Sequence, residues 1–429
     1  MKIVTSDSNV QPVGSTSESK MVERKPQNLT KQLSLSRNPV RTRKERQKRT
    51  KTIYDQLDTL FHVGVRCLLL GISPDKFRGN KGYERFLIYF VVILFFFAYS
   101  LFQLCAPYFF PGDFLQGMRH FYFGSYCLTF GYQWIYLLRN FDKINQNRVN
   151  LKCFNSSRAV TEIAEVILEG KLKPFTRRIV CIAMIFSIAS FSHGLGELIQ
   201  FGEQYFIMGE VKTMLTYFPF PIWGQLIIVL LNTITISLLL AGTVSALIIT
   251  GLLTLEIETQ CAVLCAAMVR GTDDGSQSFT GLIADHVQII KNARWLIDLM
   301  ESLNSPAFSC FYFHIAIGLV IMKLVETNGY LFYVSMAFGF MSVILQTGAQ
   351  GWFSSAITHS LESIAFAAYE TNWYERDKNY ARDVLMVIQM GQLRFVQKIF
   401  FRSIEIDRAT VLRIVRSSYS FYTILMIIQ

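Results

Sequence analysis

The 429-residue chain has little charge for its length: Asp, Glu, Lys and Arg make up 17% of it, against 51% hydrophobic residues. A water-soluble domain carries nearer a quarter charged residues, so an ordinary cytosolic enzyme is a poor fit. Proline is sparse at 10 residues, and none follows Pro306. No GxSxG, phosphate-cradling glycine loop or His/Cys cluster is present, and the six histidines are not paired at metal-ligand spacing. Nothing here suggests an enzyme, a cofactor or a resident metal. The eight cysteines place no pair in an outside loop, so a disulfide framework is not expected.

The charge that is present is segregated. Residues 1–85 hold 18 of the 42 Lys and Arg, while later stretches have none. The net charge of +11 therefore speaks of topology and not of a nucleic-acid partner. Six apolar runs approach or exceed the roughly 20 residues that cross a bilayer: 86–112, 120–138, 179–196, 213–255, 302–322 and 327–361. The first reads FLIYFVVILFFFAYSLFQLCAPYFF, which no soluble helix would expose. The others carry scattered Gly, Ser and Thr, which suit helices packed on helices.

The cations orient these runs. Arg119, Lys212 and Lys323 stand alone in their loops, whereas 139–178 carries nine Lys and Arg and 362–406 carries six. The positive-inside rule places the N-terminus, 139–178, 256–301 and 354–406 in the cytoplasm. Residues 1–51 read as a basic disordered tail whose Arg41–Lys51 cluster touches anionic lipid. Residues 52–80 read as an amphipathic or re-entrant segment.

Two runs are too long for the bilayer. The 213–255 run would reach about 65 Å as helix and 327–361 about 52 Å. Their inner ends must be covered by protein, which implies an intracellular helical anchor over 362–404 and cytoplasmic extensions of the spans. The last charge-free stretch, Ser417–Gln429, is too short to cross, at about 20 Å. Extending it back through Arg416, Arg413 and Arg408 supplies the length but puts cations on the helix. Either this helix stops partway, or its polar side faces an aqueous conduit. The expectation is an all-α protein of seven membrane helices: about 86–108, 120–138, 179–198, 222–255, 306–324, 330–354 and 405–429. Within the spans, His193 and Glu197 share a helix face, as a satisfied pair or a ligand contact, and His314 stands alone.

The C-terminal third adds motifs. SLESIAFAAYETNWYE at 360–375, DVLMVIQMGQLRF at 383–395 and SIEIDRATVLRIVRSSYSFYTILMIIQ at 403–429 resemble the hallmark region of the insect odorant receptors. LLLGISP at 68–74 and His286 agree more weakly. The resemblance implies seven helices with the N-terminus inside and the C-terminus outside, in a ligand-gated non-selective cation channel. Such a chain is expected to be a tuning subunit that joins a shared olfactory co-receptor in a hetero-tetramer, in the dendrite membrane of an olfactory neuron. It has only RGTDDGSQSF (270–279) where the co-receptor carries a long insertion, and Ile427 where the co-receptor has Gln.

The resemblance also implies an odorant pocket in the outer half of the bundle. Phe121, Tyr122, Tyr126, Phe191, His193, Trp223, Ile227, Tyr330 and Tyr333 would line it. Such an aromatic box with a few polar tips suits a small volatile apolar molecule. Ile424 and Ile428, four apart on the seventh helix, would be the hydrophobic gate. The competing reading is a seven-helix chemoreceptor of the G-protein-coupled or gustatory type. Against the former stand the opposite orientation and the missing proline of an NPxxY-like seventh helix.

Overall fold

In a computed structural model of the chain, the described residues are 43–69, nine positions between 87 and 105, 114–152, 166–188, 222–274, 279–324, 330–393, 395–399 and 404–428. Lys48–Gln429 forms one compact unit. Met1–Gln47 is another, and all but its last five residues lie outside the described ones.

Helix α1, Arg43–Leu68, takes in the end of the basic tail, which is helical from Arg43 and not disordered, and the first part of the amphipathic segment, of which 70–80 lie outside the described residues. The described positions between 87 and 105 are helical. Helices α2 (Phe114–Arg139), α3 (Phe141–Lys152) and α4 (166–188) follow. Three long helices come next: α5 (Ile222–Asp274), α6 (Phe279–Leu324) and α7 (Tyr330–Tyr369), of 53, 46 and 40 residues. At 1.5 Å per residue they reach about 80, 69 and 60 Å, well beyond a hydrocarbon core of about 30 Å. Helix α8 (Lys378–Gly391) and helix α9 (Arg408–Ile428) complete the set.

The bundle has an apolar core, yet it also exposes apolar stripes and buries several polar side chains. Leu87, Phe90, Leu94 and Leu101 are exposed at helical spacing, as are Val180, Met184 and Ile188 on α4. Gln133, Asn304, His314, Gln346 and Gln350 are buried. Apolar stripes of this kind suit a lipid-facing surface, and the buried amides hydrogen-bond to one another.

The C-terminal half of α5 is different. Ala241–Val269 is apolar and mostly buried by protein. Helix α7 packs along it, with α6 and α2 beside. Arg148 of α3, buried itself, ties this region together. Its Nη2 lies 2.6 Å from Asp58 of α1 and its Nε 3.3 Å from Glu256 of α5, with the guanidinium 3.8 Å over the Phe61 ring. Close helix approach needs glycine at the α7–α8 contact. A Cβ at Gly391 would stand 2.8 Å from the Ala365 Cβ and 3.2 Å from its backbone nitrogen.

One element departs from an all-helical anchor. Gln397–Ile399 (β1) and Ile404–Ile406 (β2) pair antiparallel, with Lys398 opposite Glu405. The period-two alternation accounts for it. Gln397, Ile399 and Ile406 are buried, while Lys398 and Glu405 face each other outside at 3.6 Å. The seven described cysteines are all free, and Cys153 lies outside the described residues.

Candidate functional site

Helix α2 steps Tyr122, Tyr126 and Phe130 four residues apart, which puts three rings on one face. Helix α6 brings His314 against them. The rings of Tyr122 and Tyr126 stack with centroids 6.4 Å apart, and Tyr126 lies 4.3 Å from Phe130. The imidazole meets Tyr122 edge-on at 5.1 Å and Tyr126 at 5.6 Å. Its Nδ1 is 2.7 Å from the Cys310 carbonyl, one helical turn back. That oxygen only accepts, so Nδ1 carries a proton. Nε2 lies 3.0 Å from the Ser125 hydroxyl and 3.2 Å from the Tyr122 carbonyl. In the tautomer protonated at Nδ1 alone, Nε2 accepts from Ser125. The result is an apolar aromatic wall with one imidazole–hydroxyl handle, whose Nε2 and Oγ lone pairs can accept from the hydroxyl of a small apolar ligand.

Of the nine pocket residues expected from the sequence, Tyr122 and Tyr126 come together here. Phe121 is on the same helix but 45% exposed, turned away from the buried cluster. Trp223 and Ile227 fall in the first turns of α5, and Tyr330 and Tyr333 in the first turn of α7, but their side chains are outside the described residues. Phe191, His193 and Glu197 also lie outside them. The sequence reading missed Ser125 as a site residue and left His314 unassigned. The lone histidine in an apolar run was the available signal.

Below the aromatic cluster a chain of amides links three helices. Gln346 of α7 donates to Gln133 of α2 at 3.3 Å, and Gln133 to Asn304 of α6 at 3.4 Å. Asn304 in turn donates to Gln350 of α7 at 2.9 Å. Pro306 sits inside α6 one turn above Ser302. Proline has no N–H to give, so the Ser302 carbonyl loses its helical donor. The Tyr132 hydroxyl donates to it instead at 3.2 Å.

Helix α9 is 21 residues long, about 31 Å, enough to cross a bilayer. Asp407 starts it, its carboxylate accepting from the Thr410 N–H at 2.6 Å. Thr410, Val411 and Ser418 are buried, and α6 and α7 are the helices it packs on. Gly351 of α7 permits that approach: a Cβ there would meet Val411 at 2.7 Å. The opposite face is open: Arg413, Arg416, Ser420, Ile424 and Ile427 follow one another at three- and four-residue steps. Cations stand at its start, a hydroxyl in the middle and isoleucines at its end, with Ile424 at 54% and Ile427 at 83% exposure. Ile428 lies in the helix with its side chain outside the described residues.

Residues 153–419 match the family described as 7tm Odorant receptor. Among curated proteins, the chain is similar to Odorant receptor 33a of Drosophila melanogaster, at 25% identity over 143 residues. That stretch covers 33% of this chain and 37% of the relative, so the match spans little more than a third of its length. Among solved structures, the fold is similar to the insect olfactory receptor OR5 from Machilis hrabei, with a TM-score of 0.68 at 12% identity. The superposition covers 88% of this chain and 100% of that one. The same receptor in complex with eugenol gives a TM-score of 0.69, at 12% identity, over 89% of this chain and 100% of that chain.

Proposed function

Because the chain belongs to the odorant receptor family, we propose that it is the odorant-binding subunit of a ligand-gated, non-selective cation channel. It is a multi-pass membrane receptor and not an enzyme. It assembles with the shared co-receptor into a hetero-tetramer in the dendrite membrane of an olfactory neuron, N-terminus inside and C-terminus outside. The observation that carries this reading is the cluster of Tyr122, Tyr126 and Ser125 around His314, an apolar wall with one polar handle. That a receptor of the same fold is solved with eugenol supports a small volatile ligand.

Binding opens the channel by population shift, so the odorant must bind the open arrangement more tightly than the closed one. The open face of α9 is the pore wall. Ile424, with Ile428, closes it by dewetting, and Arg413 and Arg416 face water nearer the cytoplasm. The exposed Phe366, Tyr369 and Tyr374 near the inner end of α7 supply apolar contact surface for neighbouring subunits.

The test is whole-cell recording from cells expressing this chain alone, the co-receptor alone and both, across a panel of volatiles. Odorant-evoked cation currents only in the pair, unchanged when G-protein signalling is blocked, are expected. Responses that vanish with that block would instead assign the chain to the G-protein-coupled class.

A further inference from the structure

A cavity of about 240 Å³ lies away from the aromatic cluster, enclosed by α4, α5 and α7. It is smaller than a small-molecule site, which spans about 300–1,000 Å³. Its walls are apolar, formed chiefly by Phe175, Trp352 and Phe353, with Gly251 as the floor. Gly251 is what lets the walls meet: a Cβ there would stand 2.6 Å from Phe175 and 2.8 Å from Phe353. At the mouth, Lys171 is paired with Glu258, so those two charges cancel. Arg178 has no carboxylate partner among the described residues. Its guanidinium carbon lies over Trp352, 4.2 Å from the ring centroid. Arg178 is exposed on α4, so N–H groups along its edge are available to an oxyanion that approaches from outside.

The level of the cavity follows from the spans. Gly251 and Leu255 end the fourth, Trp352 and Phe353 lie at the inner end of the sixth, and Arg178 immediately precedes the third. Three inner ends converge at one depth, where a tryptophan and a cation mark the inner head-group zone. Lys173 and Arg177 stand exposed beside it on α4.

We propose that this cavity is a site for an anionic phospholipid of the inner leaflet. The phosphate sits on the Arg178 edge, and the first part of an acyl chain packs on Phe175, Trp352 and Phe353. The site rests on the cytoplasmic placement of these helix ends in the function proposed above.

The experiment uses the assembled receptor in phosphatidylcholine nanodiscs doped with phosphatidylserine bearing a photoreactive acyl chain, with labelled peptides mapped by mass spectrometry. The expected result is labelling of peptides containing 170–178 and 352–356, at a level that an equally reactive phosphatidylcholine does not reach. Arg178→Gln should reduce it about fivefold, the worth of one cation at an anionic surface. Ala356→Trp, which fills the cavity from α7 and leaves Arg178 in place, should abolish it. A thermal melt of each variant confirms that it folds. Equal labelling by both lipids, or labelling that survives both substitutions, overturns the site. Competition by soluble glycerophosphoserine as effective as by vesicle lipid overturns the lipid as occupant in favour of a free phosphate group. An N-terminal tag reports orientation separately. Lost selectivity with a cytoplasmic tag sinks the lipid site alone, whereas an extracellular tag sinks the inner-leaflet assignment with the topology beneath it.

Discussion

The hydroxyl of Tyr132 on α2 donates to the carbonyl of Ser302 on α6 at 3.2 Å, and that carbonyl is the one Pro306 leaves without its helical donor. Two helices are thereby joined through a defect in one of them. The buried chain of Gln133, Asn304, Gln346 and Gln350 adjoins this point, so the joint fixes the register in which the amides meet.

Tyr132→Phe is expected to lower stability by about 1 kcal/mol or less, since the tyrosine is partly exposed. In a Pro306→Ala background the Ser302 carbonyl regains an N–H donor, and the same Tyr132→Phe change should cost almost nothing. Thermal unfolding of the four proteins in detergent gives the coupling. Equal costs in the two backgrounds would show that the hydroxyl does not compensate for the proline.

Arg148 is buried between two carboxylates, and removing one partner of such a group leaves charge stranded. Arg148→Met should cost about 3 kcal/mol, the low end for a buried pair because water still reaches Asp58. Adding Glu256→Gln should recover more stability than adding Asp58→Asn, since Glu256 is the more deeply buried. Melting temperature and surface expression report the order, and the opposite ranking would count against Glu256 as the stranded charge.

His314→Phe keeps a ring in contact with Tyr122 and Tyr126 but removes the handle. Responses to volatiles bearing a hydroxyl should weaken about two- to tenfold, the value of one neutral hydrogen bond, while hydrocarbon responses hold. Ser125→Ala should move the first class less, because the imidazole remains. Dose–response curves that shift equally for both ligand classes would mark His314 as a packing residue only.

Ile424→Ala should raise the resting current of the assembled channel, because a smaller side chain wets more readily at a constriction. Patch-clamp leak in the absence of odorant is the measure. Leak and odorant response both unchanged would remove Ile424 from the gate.

Much of the architecture was legible because membrane helices advertise themselves locally. The 213–255 and 327–361 runs were too long to be simple spans, and α5 and α7 carry that excess. The helix ends were less legible. Helix α5 begins at Ile222, after Pro219 and Pro221, and runs on through Glu256 and Glu258, because pairing with Arg148 and Lys171 holds charges that would otherwise end an apolar run. The hairpin at 397–406 falls across the expected helical anchor, 362–404, and the first residues of the expected seventh helix, which starts at Arg408 and not at 405. The candidate site divides in the same way. Tyr122 and Tyr126 follow from helical spacing, but Ser125 meets His314 across 189 residues of sequence. No local pattern reports a contact of that range. The outward turn of Phe121 is likewise set by where α6 lies and not by the residue itself.

An unbroken α5 has a mechanical corollary. Its N-terminal turns carry Trp223 and Ile227, while its C-terminal portion packs along α7 and is pinned through Arg148. A continuous rod held at one end behaves as a lever: a small sideways push at the free end reappears as torque at the clasp, with no break in the helix to absorb it.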